Sequence, residues 1–128
     1  MLHGRRATVR KSRKEIKDKS IVIDLLNTCH VGRLGTTGND GYPRVKPLNF
    51  AYHEDRIYFH TAKEGEKVED IKRNARVCFE VDLPVAYVRG DENPCRAEYL
   101  YRSVIIKGRA RIIEDREEKI FALTLLMK

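Results

Sequence analysis

At 128 residues and 14.9 kDa the chain has the length of one domain, enough to bury a core and short enough to gain from self-association. Hydrophobic residues (41%) are interspersed with charges (35%), so no run approaches the roughly 20 apolar residues that cross a bilayer, no signal-peptide core is visible, and the expected compartment is the cytoplasm. The net charge of +7 invites nucleic acid, yet six of the 26 Lys and Arg (Arg5, Arg6, Arg10, Lys11, Arg13, Lys14) fall in residues 1–14 with no acid, leaving 20 basic against 19 acidic residues elsewhere. Residues 1–14 therefore read as a disordered basic arm, without aromatics to stack bases, and residues 15–128 as a single domain to which neither nucleic acid nor membrane is the expected partner.

Asp18 stands as N-cap of a helix over residues 19–27, with Ile21 and Leu25, and after them Val22 and Leu26, as its core-facing side chains. Residues 31–37 are the next expected element, a strand, and the Gly-Asn-Asp-Gly run at 38–41 is a hairpin signal. Residues 42–53 carry Leu48, Phe50 and Tyr52 on alternate positions and read as one strand; Glu54-Asp55 is the turn into a second, residues 56–62, built on Ile57, Tyr58 and Phe59. Then the period changes. Val68 and Ile71, three apart, predict a helix from about residue 65 to 74. A strand over 75–82 with Cys78 in its core, an irregular connection over 83–98 containing Pro84, Gly90 and Pro94, a strand over 99–114 bent at Gly108, and a helix from Asp115 complete the chain. Successive antiparallel strands with short flanking helices predict a mainly β, closed or nearly closed barrel.

The change of period at residues 62–67 has an electrostatic consequence. A helix begins with free N–H groups and partial positive charge, and Lys67 adds a full one beside the Thr61 hydroxyl, so a phosphate would satisfy all three. The competing reading is that Glu64 and Glu66 already complement the dipole and Lys67 is a solvated charge. Arg44 and Lys46 share one side of their strand, where they either neutralise an anion or face solvent. His60 is the side chain best suited to donate a proton or touch a substrate, with a satisfied barrel histidine as the alternative; His30 and Tyr101 are of the same kind. Cys29, Cys78 and Cys95 lack a C-x-x-C pair and read as reduced thiols, with no metal site expected. With no G-x-S-x-G, H-E-x-x-H or Walker A pattern, any reaction would be carried by a cofactor.

Four segments, HVGRLGTT (30–37), DGYPRVKPLNFAY (40–52), IYFHTAKEGEKVEDIKRNARVCFEV (57–81) and YRSVIIKGRARIIEDREEK (101–119), give residues 18–125 a pattern that resembles the pyridoxamine 5'-phosphate oxidase-like flavoproteins, in the branch of the 5-nitroimidazole-resistance proteins. The resemblance implies an antiparallel, Greek-key-like FMN-binding split barrel. It implies that Arg44, Val45, Lys46, Pro47, Leu48 and Asn49 run along the isoalloxazine and ribityl chain through backbone groups, that His60 and Thr61 form a second flavin-contacting pair, and that Lys67 is the phosphate cation. Ser103 matches a polar residue reaching FMN from the neighbouring subunit, which implies a homodimer with FMN at the interface; longer oxidases carry an amide side chain there. The implied activity is FMN-dependent reduction of a small organic acceptor, nitro compounds included, with NAD(P)H as donor. The alternatives are a non-catalytic flavin store or redox sensor, and a haem-binding barrel with His30 or His60 as axial ligand. FMN is expected over FAD because there is one phosphate site and no G-x-G-x-x-G. True oxidases continue into a C-terminal segment that holds the substrate phosphate; here Arg116 and Lys119 alternate with acids in EDREEK before Lys128, so pyridoxamine 5'-phosphate is not the expected substrate.

Overall fold

Alternation of apolar and polar residues dominates the chain, and strands dominate the structure. The computed structural model describes residues 2–8, 19–62, 64–88 and 98–128. Its elements run β1 (Leu2–Thr8), α1 (Lys19–Thr28), β2 (Val31–Thr37), β3 (Pro43–Asn49), β4 (Ala51–His53), β5 (Arg56–Tyr58), α2 (Glu66–Arg73), β6 (Arg76–Val88), β7 (Glu98–Ala110) and α3 (Arg116–Leu126). The strands form one antiparallel sheet of seven in the order β3-β2-β6-β7-β1-β5-β4.

The two edges of that sheet, β3 and β4, are separated in sequence by Phe50 alone. A flat sheet would hold them six strand spacings apart, about 28 Å at the usual 4.7 Å spacing, whereas one residue spans about 3.5 Å. The sheet must therefore curl until its edges meet, which is the split barrel. Phe50 pins the seam: it is buried and meets the Phe79 ring edge-on at 4.9 Å. Around the pair lie Leu34, Leu48, Ile57, Val77, Val81, Val104 and Ile106 from the strands, closed over by Leu25 and Leu26 of α1 and Ile71 of α2.

Phe79 lies across Gly32 so closely that a Cβ there would collide with the ring. Gly32→Ala should therefore displace Phe79 and destabilise the fold by about 2 kcal/mol, the usual scale for overpacking. Urea unfolding measures it, and an unchanged midpoint would refute the packing argument.

Several expectations need correction. Residues 2–8 of the supposed disordered arm form β1, between β7 and β5, because two strands offer it backbone partners and ladder hydrogen bonds are indifferent to side-chain charge; residues 9–14 and Asp18 lie outside the described residues. The single strand over 42–53 is two strands on opposite edges. The run expected over 56–62 ends as a strand at Tyr58, leaving Phe59 to Ala62 as a connection. Leu83–Val88 continues β6 where an irregular connection was expected: β7 supplies a partner all along, and the register shift between Pro84 and Ala86 absorbs the proline. Residues 89–97, with Gly90, Pro94 and Cys95, lie outside the described residues. Cys78 is exposed, since Val77, Phe79 and Val81 take the inward positions of its strand. β7 stops at Ala110, and the irregularity expected at Gly108 appears in its partner, between Gly4 and Arg6 opposite it. α3 begins as expected, with Asp115 as N-cap accepting from the Glu118 amide at 3.0 Å. Among the described residues no helix is long and apolar enough to cross a membrane.

Candidate functional site

The chain turns from β5 into α2 through His60, Thr61 and Gly65, and α2 starts without a side-chain cap. Gly65 makes this start possible. Its φ of 139° is one that side-chain-bearing residues rarely adopt, and nothing lies within 4 Å of where a Cβ would be, so the approach to the helix amides is open. Lys67 is half-buried in the first turn and, among the described residues, pairs with no carboxylate. Thr61 is half-buried on the incoming chain, while His60 is exposed, as is His30 at the start of β2.

What holds α2 in place is a carboxylate that periodicity does not reveal. Asp70 is only 1% exposed. It accepts from the buried Thr36 hydroxyl of β2 at 2.8 Å, from Arg73 Nη2 at 2.8 Å and from Arg44 Nη1 at 3.3 Å. Burial alone pushes the Asp70 carboxyl up, but the Arg73 and Thr36 hydrogen bonds and the charges of Arg44 and Arg73 together outweigh it and hold the carboxyl below its ordinary range. Arg73 also donates to the Thr37 carbonyl at 2.6 Å, and Arg44 Nη2 to Asn39 Oδ1 of the preceding turn at 2.8 Å. Helix, β2, β3 and the 38–41 turn thus share one network. Asp70 lies about 100° round the helix from Ile71, off the Val68 stripe, which is why apolar spacing gives no hint of it.

Arg44 and Lys46 are only partly exposed to solvent. Both turn toward α2, where Glu66 Oε1 lies 3.0 Å from Arg44 Nη1 and 3.6 Å from Lys46 Nζ. The same strand is a sheet edge, so half its backbone groups lack a ladder partner. Proline is tolerated on an edge where its missing N–H would face outward. Pro43 and Pro47 thus place Val45 and Asn49 in the outward-facing set, with free amides. The structure brings Arg44 and Lys46 to the first turn of α2, the turn that also carries Lys67.

Ser103 is elsewhere. It pairs with Asp82 on β7, three strands from β3, or about 14 Å across the sheet. It lies on the outer face, which runs through Pro47, Arg33, Glu80 and Ile105 in one row and Val45, Gly35, Cys78 and Lys107 in the next. Val45 is 67% exposed on this face, and Val31, opposite Asn49 four residues further along β3, is exposed there as well. Arg33 Nη1 bridges Glu80 at 2.8 Å and Asp82 at 3.3 Å. Burial, then the Asp82 charge, raises the Glu80 carboxyl against the pull of Arg33. The Cys29 thiol donates to the Asp82 carbonyl at 3.7 Å and is pushed up by burial and by the charges of Asp82 and Glu80. Among the described residues no three His, Cys, Asp or Glu side chains group as a metal site.

The model of a protein family described as pyridoxamine 5'-phosphate oxidase matches residues 18–128. The chain belongs to that family. A 5a,11a-dehydrotetracycline/5a,11a-dehydrooxytetracycline reductase of Streptomyces rimosus is 30% identical over 95 residues, which are 71% of this chain and 61% of the reductase, so the match spans less than two thirds of that enzyme. Among solved structures, a candidate 5-nitroimidazole antibiotic resistance protein from Bacteroides thetaiotaomicron superposes with a TM-score of 0.78 at 31% identity, over 99% of this chain and 71% of the other. A FAD-binding protein from Mesorhizobium loti gives 0.67 at 27% identity, over 86% and 73%. The split barrel deduced from the Phe50 seam is the fold of these neighbours.

A flavin phosphate fits most of the donors around the start of α2: amides without a side-chain cap, the Thr61 hydroxyl, Lys67, which has no carboxylate partner among the described residues, and two further cations on β3. Glu66, a carboxylate among those cations, is the one residue that departs from an anion site.

Proposed function

We propose that this protein is an FMN-dependent oxidoreductase that takes electrons from NAD(P)H and reduces a small organic acceptor, acting as a homodimer. The observation that carries the reading is the uncapped start of α2, where Lys67 stands without a carboxylate partner among the described residues, in a chain of the pyridoxamine 5'-phosphate oxidase family. A bound flavin would supply the hydride chemistry. The chain's part is to hold and tune it. Lys67, Thr61 and the first α2 amides would bind the phosphate, and the free Val45 and Asn49 amides on the β3 edge would donate to the ring and its side arm, favouring the electron-rich reduced form. Asp70 and Arg73 orient α2 against β2 and so keep these donors aligned with β3.

Support for an acceptor comes from relatives named as a dehydrotetracycline reductase and a candidate 5-nitroimidazole resistance protein. The reading of FMN in preference to FAD is supported by one phosphate corner among the described residues and by the lack of a G-x-G-x-x-G pattern in the sequence. Purified protein, denatured and analysed by absorbance and mass, should release FMN; FAD or haem in its place would overturn the assignment. Anaerobic addition of NAD(P)H should bleach the flavin, and a 5-nitroimidazole or a dehydrotetracycline should restore its colour. A flavin that is reduced by neither nicotinamide would leave a storage role.

The match of Ser103 to a residue that reaches the flavin from a neighbouring subunit supports dimerisation. Ser103 cannot reach the α2 corner of its own chain, but it lies on an outer face carrying the exposed Val31 and Val45 that a second copy would cover. Sedimentation should show a dimer, and a monomer holding one FMN per chain would refute it.

A further inference from the structure

Glu66 is the unexpected element of the α2 corner. Helix polarity does not require it to contact β3, because Glu69 also lies in the first turn and serves the dipole from an exposed position. A single Glu66 oxygen nevertheless meets both Arg44 Nη1 at 3.0 Å and Lys46 Nζ at 3.6 Å, while Arg44 already has Asp70 as a second, buried partner. The Glu66 side chain is 46% exposed, so it can swing away without opening the core. A phosphate monoester carries nearly two negative charges at neutral pH and would be repelled by a carboxylate seated among its cations.

We propose that Glu66 is an internal counter-anion: it occupies Arg44 and Lys46 in the free protein, must release them when a phosphate arrives, and thereby sets how tightly a phosphate-bearing ligand is held. This deepens the FMN reading and rests on it. Glu66 touches no reacting atom; its role is to tune specificity between phosphorylated and unphosphorylated flavin.

The test is a fluorescence-quenching titration of the apoprotein with FMN and with riboflavin, for wild type, Glu66→Gln and Glu69→Gln. Glu66→Gln should tighten FMN about tenfold and leave riboflavin unchanged, since removing the carboxylate removes both the competing ion pair and the repulsion. Glu69→Gln makes the same change of net charge without freeing Arg44 or Lys46, and should shift FMN far less. Unfolding temperatures of all three should agree, because Arg44 keeps Asp70. A tightening shared equally by both variants, or weaker FMN binding by Glu66→Gln, would overturn the proposal. If neither wild type nor Glu66→Gln prefers FMN over riboflavin, the phosphate-site reading is in error and the Glu66 proposal falls with it; a preference that appears only in Glu66→Gln upholds both.

Discussion

Asp70→Ala is expected to destabilise the protein by about 3 kcal/mol, the lower end of the range for breaking a buried ion pair. Three donors converge on this carboxylate, and the variant leaves the Thr36 hydroxyl buried without an acceptor and Arg44 and Arg73 without their shared anion. The lower end applies because both arginines keep other partners, Glu66 for Arg44 and the Thr37 carbonyl for Arg73. The sign of the pH dependence gives a second check. A carboxyl held below its ordinary value of roughly 3.9 contributes stability that is fully present above that value and lost as pH falls through the folded-state value. The gap between wild type and Asp70→Ala should therefore be constant from neutral pH down to about 5 and close in stronger acid. Urea unfolding across that range measures it; a gap that widens on acidification would mean that Asp70 is not the anion of this network. Because Asp70 fixes α2 against β2, the variant should also bind flavin more weakly in proportion to its loss of helix docking.

Lys67→Ala is expected to weaken FMN binding by about 1.5 to 3 kcal/mol, or roughly 10- to 150-fold, the scale of one charge-assisted contact. Lys63→Ala, a change of equal charge three residues before the helix, should cost much less, and riboflavin should bind both variants alike. The size of the difference comes from Lys67 having no carboxylate of its own among the described residues: its positive charge is not already neutralised, as those of Arg44 and Lys46 are by Glu66. Flavin titrations of the two variants decide the matter, and equal losses would return Lys67 to the status of a surface charge.

Much of this molecule is legible without coordinates. Strand β2, the 38–41 turn, α2 and the Asp115 cap follow from local chemistry, because alternation, positive-φ residues, three-residue apolar spacing and a capping side chain each act within a few positions. The proposal of Thr61 and Lys67 as phosphate ligands rests on the same kind of local argument, the electrostatics of a helix start. The order of the segments over residues 18–128 was sufficient to indicate the family.

Tertiary structure decided what depends on distant partners. Whether 42–53 is one strand or two turns on where the sheet closes, and that is settled by Phe50 packing on Phe79, a residue from another strand. Residues 2–8 are a strand because β7 and β5 stand open on either side, which composition cannot express. Cys78 faces out, on the same side of its strand as Glu80, because Val77, Phe79 and Val81 claim the core. Asp70 and Glu66 look in sequence like ordinary acids on a charged helix; one is the buried anchor of the site and the other its internal counter-anion, because folding brings β2 and β3 to their side of α2. Charge in sequence states what a residue can bind, and only the approach of other elements selects which partner it meets.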